Sequence, residues 1–285
     1  MKPRAAFYAY RLLARFAEIL PMAAVAPVSR ASAFVAVRLL PETRHVVERN
    51  LSYVLGTKPA PSLVQASFAS YCRYWLEALR LPVVPRDQLN NLVTAEGLEH
   101  LHQALSGGKG AILALPHTGN WDMAGAWLAA RDLTVTVVVE DLEPPELSKW
   151  FREFRQSLGL NVIVNNPNVG SQLLAALRRN EVLGLICDRD VDGSGGNFKF
   201  FGEATKLPKG PATLALRSGA PLLPAAVFEA GRGQVAVILP PMDVERVGRL
   251  AVDVDRVTQD LTSRLESLIR RAPEQWHVFQ PNWPE

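Results

Sequence analysis

From Val93 to about Met242 the chain alternates short apolar runs with segments of helical periodicity, and few folds accept that rhythm. The apolar runs are AILAL (111–115), LTVTVVVE (133–140), NVIVNN (161–166), EVLGLICDRD (181–190), PLLPAAVFEA (221–230) and QVAVILPPMDV (234–244). Between them lie helical patterns such as EGLEHLHQALSGG (96–108), PPELSKWFREFRQSLG (144–159), SQLLAALRRN (171–180) and PATLALRSG (211–219). A long last helix is expected from about Val247 to Arg271, ahead of the tail WHVFQPNW. The final two strands are joined through Gly231-Arg232-Gly233 and should pair directly. The expected architecture is α/β: one domain, with a mixed central sheet flanked by helices on both faces. With 285 residues, 48% of them hydrophobic, the chain has ample material for such a core.

The front of the chain reads differently. Residues 3–20, PRAAFYAYRLLARFAEIL, have an amphipathic pattern. Arg4, Arg11 and Arg15 fall within about 40° of one another at 100° per residue. Phe7, Leu12, Phe16 and Leu20 spread over the other side. Three arginines and Glu18 exclude a transmembrane span from this stretch and argue against a cleaved leader. An interfacial helix is expected, with a terminal helix packed on the domain as the alternative. Pro21 and Pro27 should interrupt the chain before a second apolar segment, Ala31 to Leu40. Residues 1–40 thus read as a membrane-contacting helical segment, and 41–285 as the domain it serves. A helix starting at Pro41 and closing at Gly56 follows, then one from Ser62 with Phe68, Tyr71, Trp75 and Leu79 in a stripe. Such a stripe is core, or the wall of a channel for an alkyl chain.

The net charge of +3 hides an asymmetry, because residues 1–49 hold eight Lys or Arg against three acids. Basic residues spaced by apolar ones favour an anionic membrane surface over nucleic acid. Cys72 and Cys187 stand in unrelated contexts and read as core fillers of a reduced, cytoplasmic protein. No metal-ligand spacing occurs, so no metal is expected. A Gly-x-Ser-x-Gly elbow, a Walker loop and a GxGxxG fingerprint are all missing from the sequence.

Chemistry is expected at the carboxyl ends of the strands, where loops diverge. After AILAL and Pro116 comes the turn His117-Thr118-Gly119-Asn120, and Asp122 opens an Ala-rich helix. A histidine works as a base near neutral pH when a carboxylate behind the ring fixes its tautomer. His117 and Asp122 are therefore the candidate catalytic pair, the bland alternative being a loop histidine and a helix cap. Glu140 and Asp188-Arg189-Asp190 end two further strands, and Arg155 lies on an adjoining helix. Together they suggest a polar cleft for a charged or polyhydroxy substrate, or a structural ion-pair network. Gly193, Gly195 and Gly196 form either a phosphate cradle or a turn.

His117-x-x-x-x-Asp122 resembles the signature of the glycerolipid and lipid A acyltransferase superfamily. RHVVERNLSYVLG, EDLEPPELSKWFREFRQSLG and DRDVDGSGGNFKFFGEATKLPKGPATLALRSGAPLLPA are similar to the branch holding the late lipid A acyltransferases and the phosphatidylinositol mannoside acyltransferases. The tail PEQWHVFQPNW is nearer the mannoside enzymes. The superfamily's acidic third block is replaced here by DRD and by FFGE around Glu203. The resemblance implies transfer of a long acyl chain, palmitoyl, from acyl-CoA to a mannose hydroxyl of a glycolipid. It needs no cofactor and would act at the cytoplasmic face of the cell membrane. It makes His117 the general base and Asp122 the group that orients it. Amides near Gly119 and Asn120 would receive the oxyanion, and Glu140, Arg155 and Arg189 would grip the acceptor head group or CoA phosphates. A lipid A-type acceptor with an acyl carrier protein donor, and an inactive lipid-binding protein, are the alternatives.

Overall fold

The computed structural model describes residues 3–191 and 193–284, apart from the side chains of Pro3 and Arg4. Four helices come first: α1 (Pro3–Ile19), α2 (Met22–Leu39), α3 (Pro41–Leu55) and α4 (Pro61–Arg80). α3 and α4 each start on proline, whose missing N–H costs nothing in the first turn, and Gly56 closes α3 at φ 69°. α1 packs Ala14 and Ala17, with Leu20 just beyond it, into a cluster with Val25, Leu76 and Leu79. Arg80 closes the end of α1 by donating to the carbonyls of Ala17, Glu18 and Leu20.

Two expectations about this region change. Pro27 does not interrupt the chain but lies inside α2. It is exposed near the helix start, so water can satisfy the carbonyl left without an N–H partner. On α1 the apolar residues divide between two surroundings. Leu20 is buried and Phe7 half-buried against the domain, whereas Tyr8, Leu12, Phe16 and Ile19 are exposed beside Arg11 and Arg15.

The remaining elements are α5 (Arg86–Leu92), β1 (Val93–Glu96), α6 (Leu98–Ser106), β2 (Ala111–Leu115), α7 (Trp121–Ala130), β3 (Val135–Val139), α8 (Pro145–Ser157), β4 (Asn161–Val164) and α9 (Val169–Arg178). Then follow β5 (Val182–Ile186), β6 (Gly196–Phe200), β7 (Glu203–Leu207), α10 (Gly210–Ser218), β8 (Leu222–Ala230), β9 (Gly233–Ile238) and α11 (Leu250–Ile269). Seven strands form one mixed sheet in the order β1-β9-β8-β2-β5-β3-β4. Among the described residues, only the β8–β9 hairpin is antiparallel within it.

Alternating side chains of β2 feed the two layers. Leu113 packs with Tyr74, Met123, Trp127 and Phe151, on the side of α4 to α8. Ile112 and Ala114 pack with Leu173, Leu177, Ala212, Val257 and Leu261, on the side of α9 to α11. A strand buried on both faces needs this unbroken apolar run. Residues 193–209 are more ordered than a glycine-rich excursion suggests. β6 and β7 form an antiparallel hairpin, pinned by Phe198, Phe200, Phe201 and Leu207 against Trp276 and Trp283 of the tail.

The register places the site. Leu115 on β2 pairs with Ile186 on β5, and β5 pairs in parallel with β3. Two residues past each of the paired positions stand His117 and Asp188, at the same edge of the sheet.

Candidate active site

His117 is held by Asp188. Its Nδ1 donates to Asp188 Oδ1 at 2.6 Å, and its backbone N–H donates to Oδ2 at 2.8 Å. An ionised carboxylate only accepts, so in the neutral ring the proton belongs on Nδ1 and Nε2 carries the lone pair. Among the described residues none donates to that Nε2, and the side chain is 24% exposed. Asp188 itself is fully buried. Burial pushes its carboxyl upward, but the charge of His117, its hydrogen bonds and the Trp276 indole outweigh this and hold it below the usual range. Trp276 Nε1 donates to Oδ2 at 2.7 Å, and Asn282 Nδ2 donates to the Asp188 backbone carbonyl at 3.1 Å.

Asp122 is not the group behind the ring. Its carboxylate accepts from Arg155 Nε at 2.9 Å and Nη2 at 3.3 Å, and from the Tyr74 hydroxyl at 2.8 Å. The cause is local: a side chain in the first turn of α7 is directed into the seam between α4 and α8, where both partners wait. Asp122 is 3% exposed, so this pair and hydroxyl tie three helices together in the interior. Burial drives the Tyr74 phenol well above its usual range, and the charge of Asp122 adds to that. Burial would lower the Arg155 guanidinium, but Asp122 and Tyr74 overcome it. Arg155 is thereby committed to Asp122 and is not a free anion grip.

The turn amides are also occupied. Gly119 N–H donates to the Gln275 carbonyl at 3.3 Å, and Asn120 N–H to Gln234 Oε1 at 3.2 Å. Both were candidates for the oxyanion, and both are spent on positioning the turn. Gly119 sits at φ 55°, and a Cβ there would lie 2.4 Å from the Val227 carbonyl oxygen, so only glycine fits. Asn120 caps α7, accepting from Met123 N–H at 2.9 Å.

Beneath the turn runs a partly buried polar chain. Gln234 donates to Glu77 at 2.9 Å, Arg73 bridges Glu77 and Glu229, and Ser70 donates to Glu229 at 2.5 Å. Because the Ser70 proton is taken, His277 Nε2 at 2.8 Å must be the donor to Ser70. Burial, with His117 close by, pushes the His277 imidazole down to about 3 against the pull of Asp188, so this ring stays neutral.

The other expected residues take separate places. Arg189 Nη2 lies 3.5 Å from Glu140 Oε1, and its Nε is buried with no hydrogen-bond partner among the described residues. Asp190 is half-buried with its carboxyl against Gly195. Glu203 is exposed on β7, so of the two replacements for the third acidic block, DRD supplies the carboxylate at the histidine. The stripe on α4 divides: Phe68 and Leu79 are core, while Tyr71 and Trp75 are half-buried. Cys72 and Cys187 are both free thiols, Cys187 in the core and Cys72 only half-buried.

Sequence reasoning missed Tyr74, Trp276 and His277. Tyr74 is hidden in the sequence because the apolar stripe of α4 runs through Tyr71 and Trp75 on either side of it. The tail residues were noticed only as a likeness. The available signal was a terminal run holding two tryptophans, a histidine and an asparagine, far more polar hydrogen-bonding capacity than a loose tail needs.

A family model of bacterial lipid A biosynthesis acyltransferases matches residues 1–285. The chain belongs to that family. This acyltransferase is 40% identical over 246 residues to the phosphatidylinositol mannoside acyltransferase of Mycolicibacterium smegmatis, covering 83% of this chain and 78% of the relative. It is 41% identical over 248 residues to the protein of that name from Mycobacterium tuberculosis, covering 83% and 76%. The lipid A biosynthesis acyltransferase of Haemophilus influenzae is 25% identical over 184 residues, covering 63% and 55%.

Proposed function

We propose that this acyltransferase moves a long acyl chain, palmitoyl, from acyl-CoA to a mannose hydroxyl of a phosphatidylinositol mannoside. The single observation that carries the mechanism is the 2.6 Å contact between His117 Nδ1 and the buried Asp188 carboxylate, which leaves Nε2 without a partner among the described residues. The acceptor class rests on the two mycobacterial relatives. Nε2 takes the proton of the sugar hydroxyl while the oxygen attacks the thioester carbonyl. The tetrahedral intermediate collapses with loss of the CoA thiolate, which recovers the proton from the imidazolium. A thioester is already activated, so no acyl-enzyme is required. Asp188 replaces Asp122 as the orienting carboxylate of the sequence reading. Arg189, whose Nε has no hydrogen-bond partner among the described residues, is assigned to an anionic group of the donor or acceptor.

The assay is direct. Purified protein, palmitoyl-CoA and phosphatidylinositol mannoside should yield a product heavier by one palmitoyl group in mass spectrometry. A lipid A precursor with acyl carrier protein donor should yield none. Acylation of the lipid A precursor alone would transfer the function to the other branch of the family.

Residues 1–40 are assigned to peripheral attachment at the cytoplasmic face of the cell membrane. Tyr8, Leu12, Phe16 and Ile19 on α1 and Phe34, Val35 and Leu39 on α2 are exposed apolar side chains, with Arg11 and Arg15 beside the first group. α2 has the length and hydropathy of a membrane span, yet it packs Val25, Ser29 and Ala33 inward along the domain. Replacing Leu12 and Ile19 together with glutamate should reduce binding to anionic vesicles by about tenfold or more, with the melting temperature unchanged. Vesicle co-sedimentation equal to wild type would show that this face is not the contact.

A further inference from the structure

We propose that Trp276 is a positioning residue for acyl transfer, acting on His117 through Asp188. The inference rests on the assignment of His117 as the base. Asp188 has no exposed surface, and a buried carboxylate remains charged only if donors surround it. Three donors reach its carboxylate oxygens, and two of them belong to His117 itself. The Trp276 indole is the donor among the described residues that is independent of the base.

The choice of tryptophan has a chemical reason. Indole N–H donates and never accepts, so it cannot compete for the shared proton or reverse the direction of the hydrogen bond. Asp188 is left as a pure acceptor, and Nδ1 must be the protonated nitrogen. The ring has no room to turn away, being 3% exposed with Phe200, Phe201 and Trp283 at 6.0, 6.1 and 6.1 Å between ring centroids.

The same stretch of tail also fixes the backbone around the base. Trp276 forms an antiparallel bridge with Thr118, the Gln275 carbonyl accepts from Gly119, and His277 N–H donates to the His117 carbonyl at 2.7 Å. Residues 275–277 therefore set the turn and its carboxylate at once. The other titratable groups around the pair are His277 on the tail and Cys187 at the end of β5; Tyr74, with Asp122 and Arg155, lies across Trp121.

The test is to place 3-benzothienylalanine at position 276 of the full chain, beside Trp276→Phe. The first keeps the volume of indole and lacks only the N–H. Its kcat should fall about ten- to a hundredfold, with KM for palmitoyl-CoA unchanged. The acid limb of kcat/KM should move to higher pH, because a carboxylate stripped of one donor holds the imidazolium proton more tightly. A wild-type kcat or an unmoved acid limb in the benzothienyl variant overturns the proposal, the latter because a packing role lowers the rate at every pH alike. Should Trp276→Phe fail to fold, the benzothienyl variant decides. His117→Ala measured alongside separates the two claims: full turnover there removes the base itself, whereas lost turnover there with a wild-type benzothienyl variant removes only the role of Trp276.

Discussion

Asp188→Asn is expected to lower the acyl-transfer rate by about 10³- to 10⁴-fold while leaving the fold intact, the scale of loss seen when a histidine base is locked in the wrong tautomer. The amide can still accept from Trp276 through its oxygen, but its NH₂ then faces His117 Nδ1 and turns that nitrogen into an acceptor. Nε2 becomes protonated and can no longer take the sugar proton. The carboxylate that stabilises the imidazolium is lost in the same step. Single-turnover transfer, with circular dichroism to verify folding, checks this. A rate within tenfold of wild type would dismiss Asp188 as the orienting group. Asp122→Asn is the informative contrast: it should destabilise the protein while the remaining folded enzyme keeps its pH profile, because Asp122 does not touch the ring.

The second large effect is on stability. Arg155→Ala should cost about 3–5 kcal/mol, as expected when one partner of a buried ion pair is removed and the other charge is stranded. Asp122 is 3% exposed and would retain only the Tyr74 hydroxyl at 2.8 Å, between helices that exclude water. The guanidinium side chain is itself only 19% exposed, so solvent screens this pair little. Urea denaturation gives the number. A loss below 1 kcal/mol would mean that the seam between α4, α7 and α8 is held by its apolar contacts alone.

Most of the sheet could be read from the sequence because its signals are local. AILAL is the strand β2 residue for residue, and Pro41 and Gly56 bracket α3 as punctuation dictates. The rotational order of strands was not readable, and the site depends on it. The sequence puts Asp122 five residues from His117 and Asp188 seventy-one residues away, so proximity along the chain favours Asp122, whereas the ring contacts Asp188. The parallel pairing of β2 with β5 reverses that order, since two residues past Leu115 and Ile186 the chains are again side by side. The same limit applies to the turn amides: nothing near Gly119 and Asn120 in sequence announces Gln275 and Gln234 as their acceptors. Pro27 misleads for a different reason: Val25, Ser29 and Ala33 packed inward hold α2 helical across a proline that costs it one hydrogen bond, and that packing is not written in the local sequence.

Base catalysis by His117 depends on the position of one proton, and ¹⁵N NMR of histidine-labelled protein at neutral pH locates it. His117 should show a protonated Nδ1 with a strongly downfield proton and an Nε2 shift typical of a bare ring nitrogen, both features lost in Asp188→Asn. A His117 signal with the proton on Nε2 in the wild-type enzyme would contradict the assignment of that nitrogen as the base.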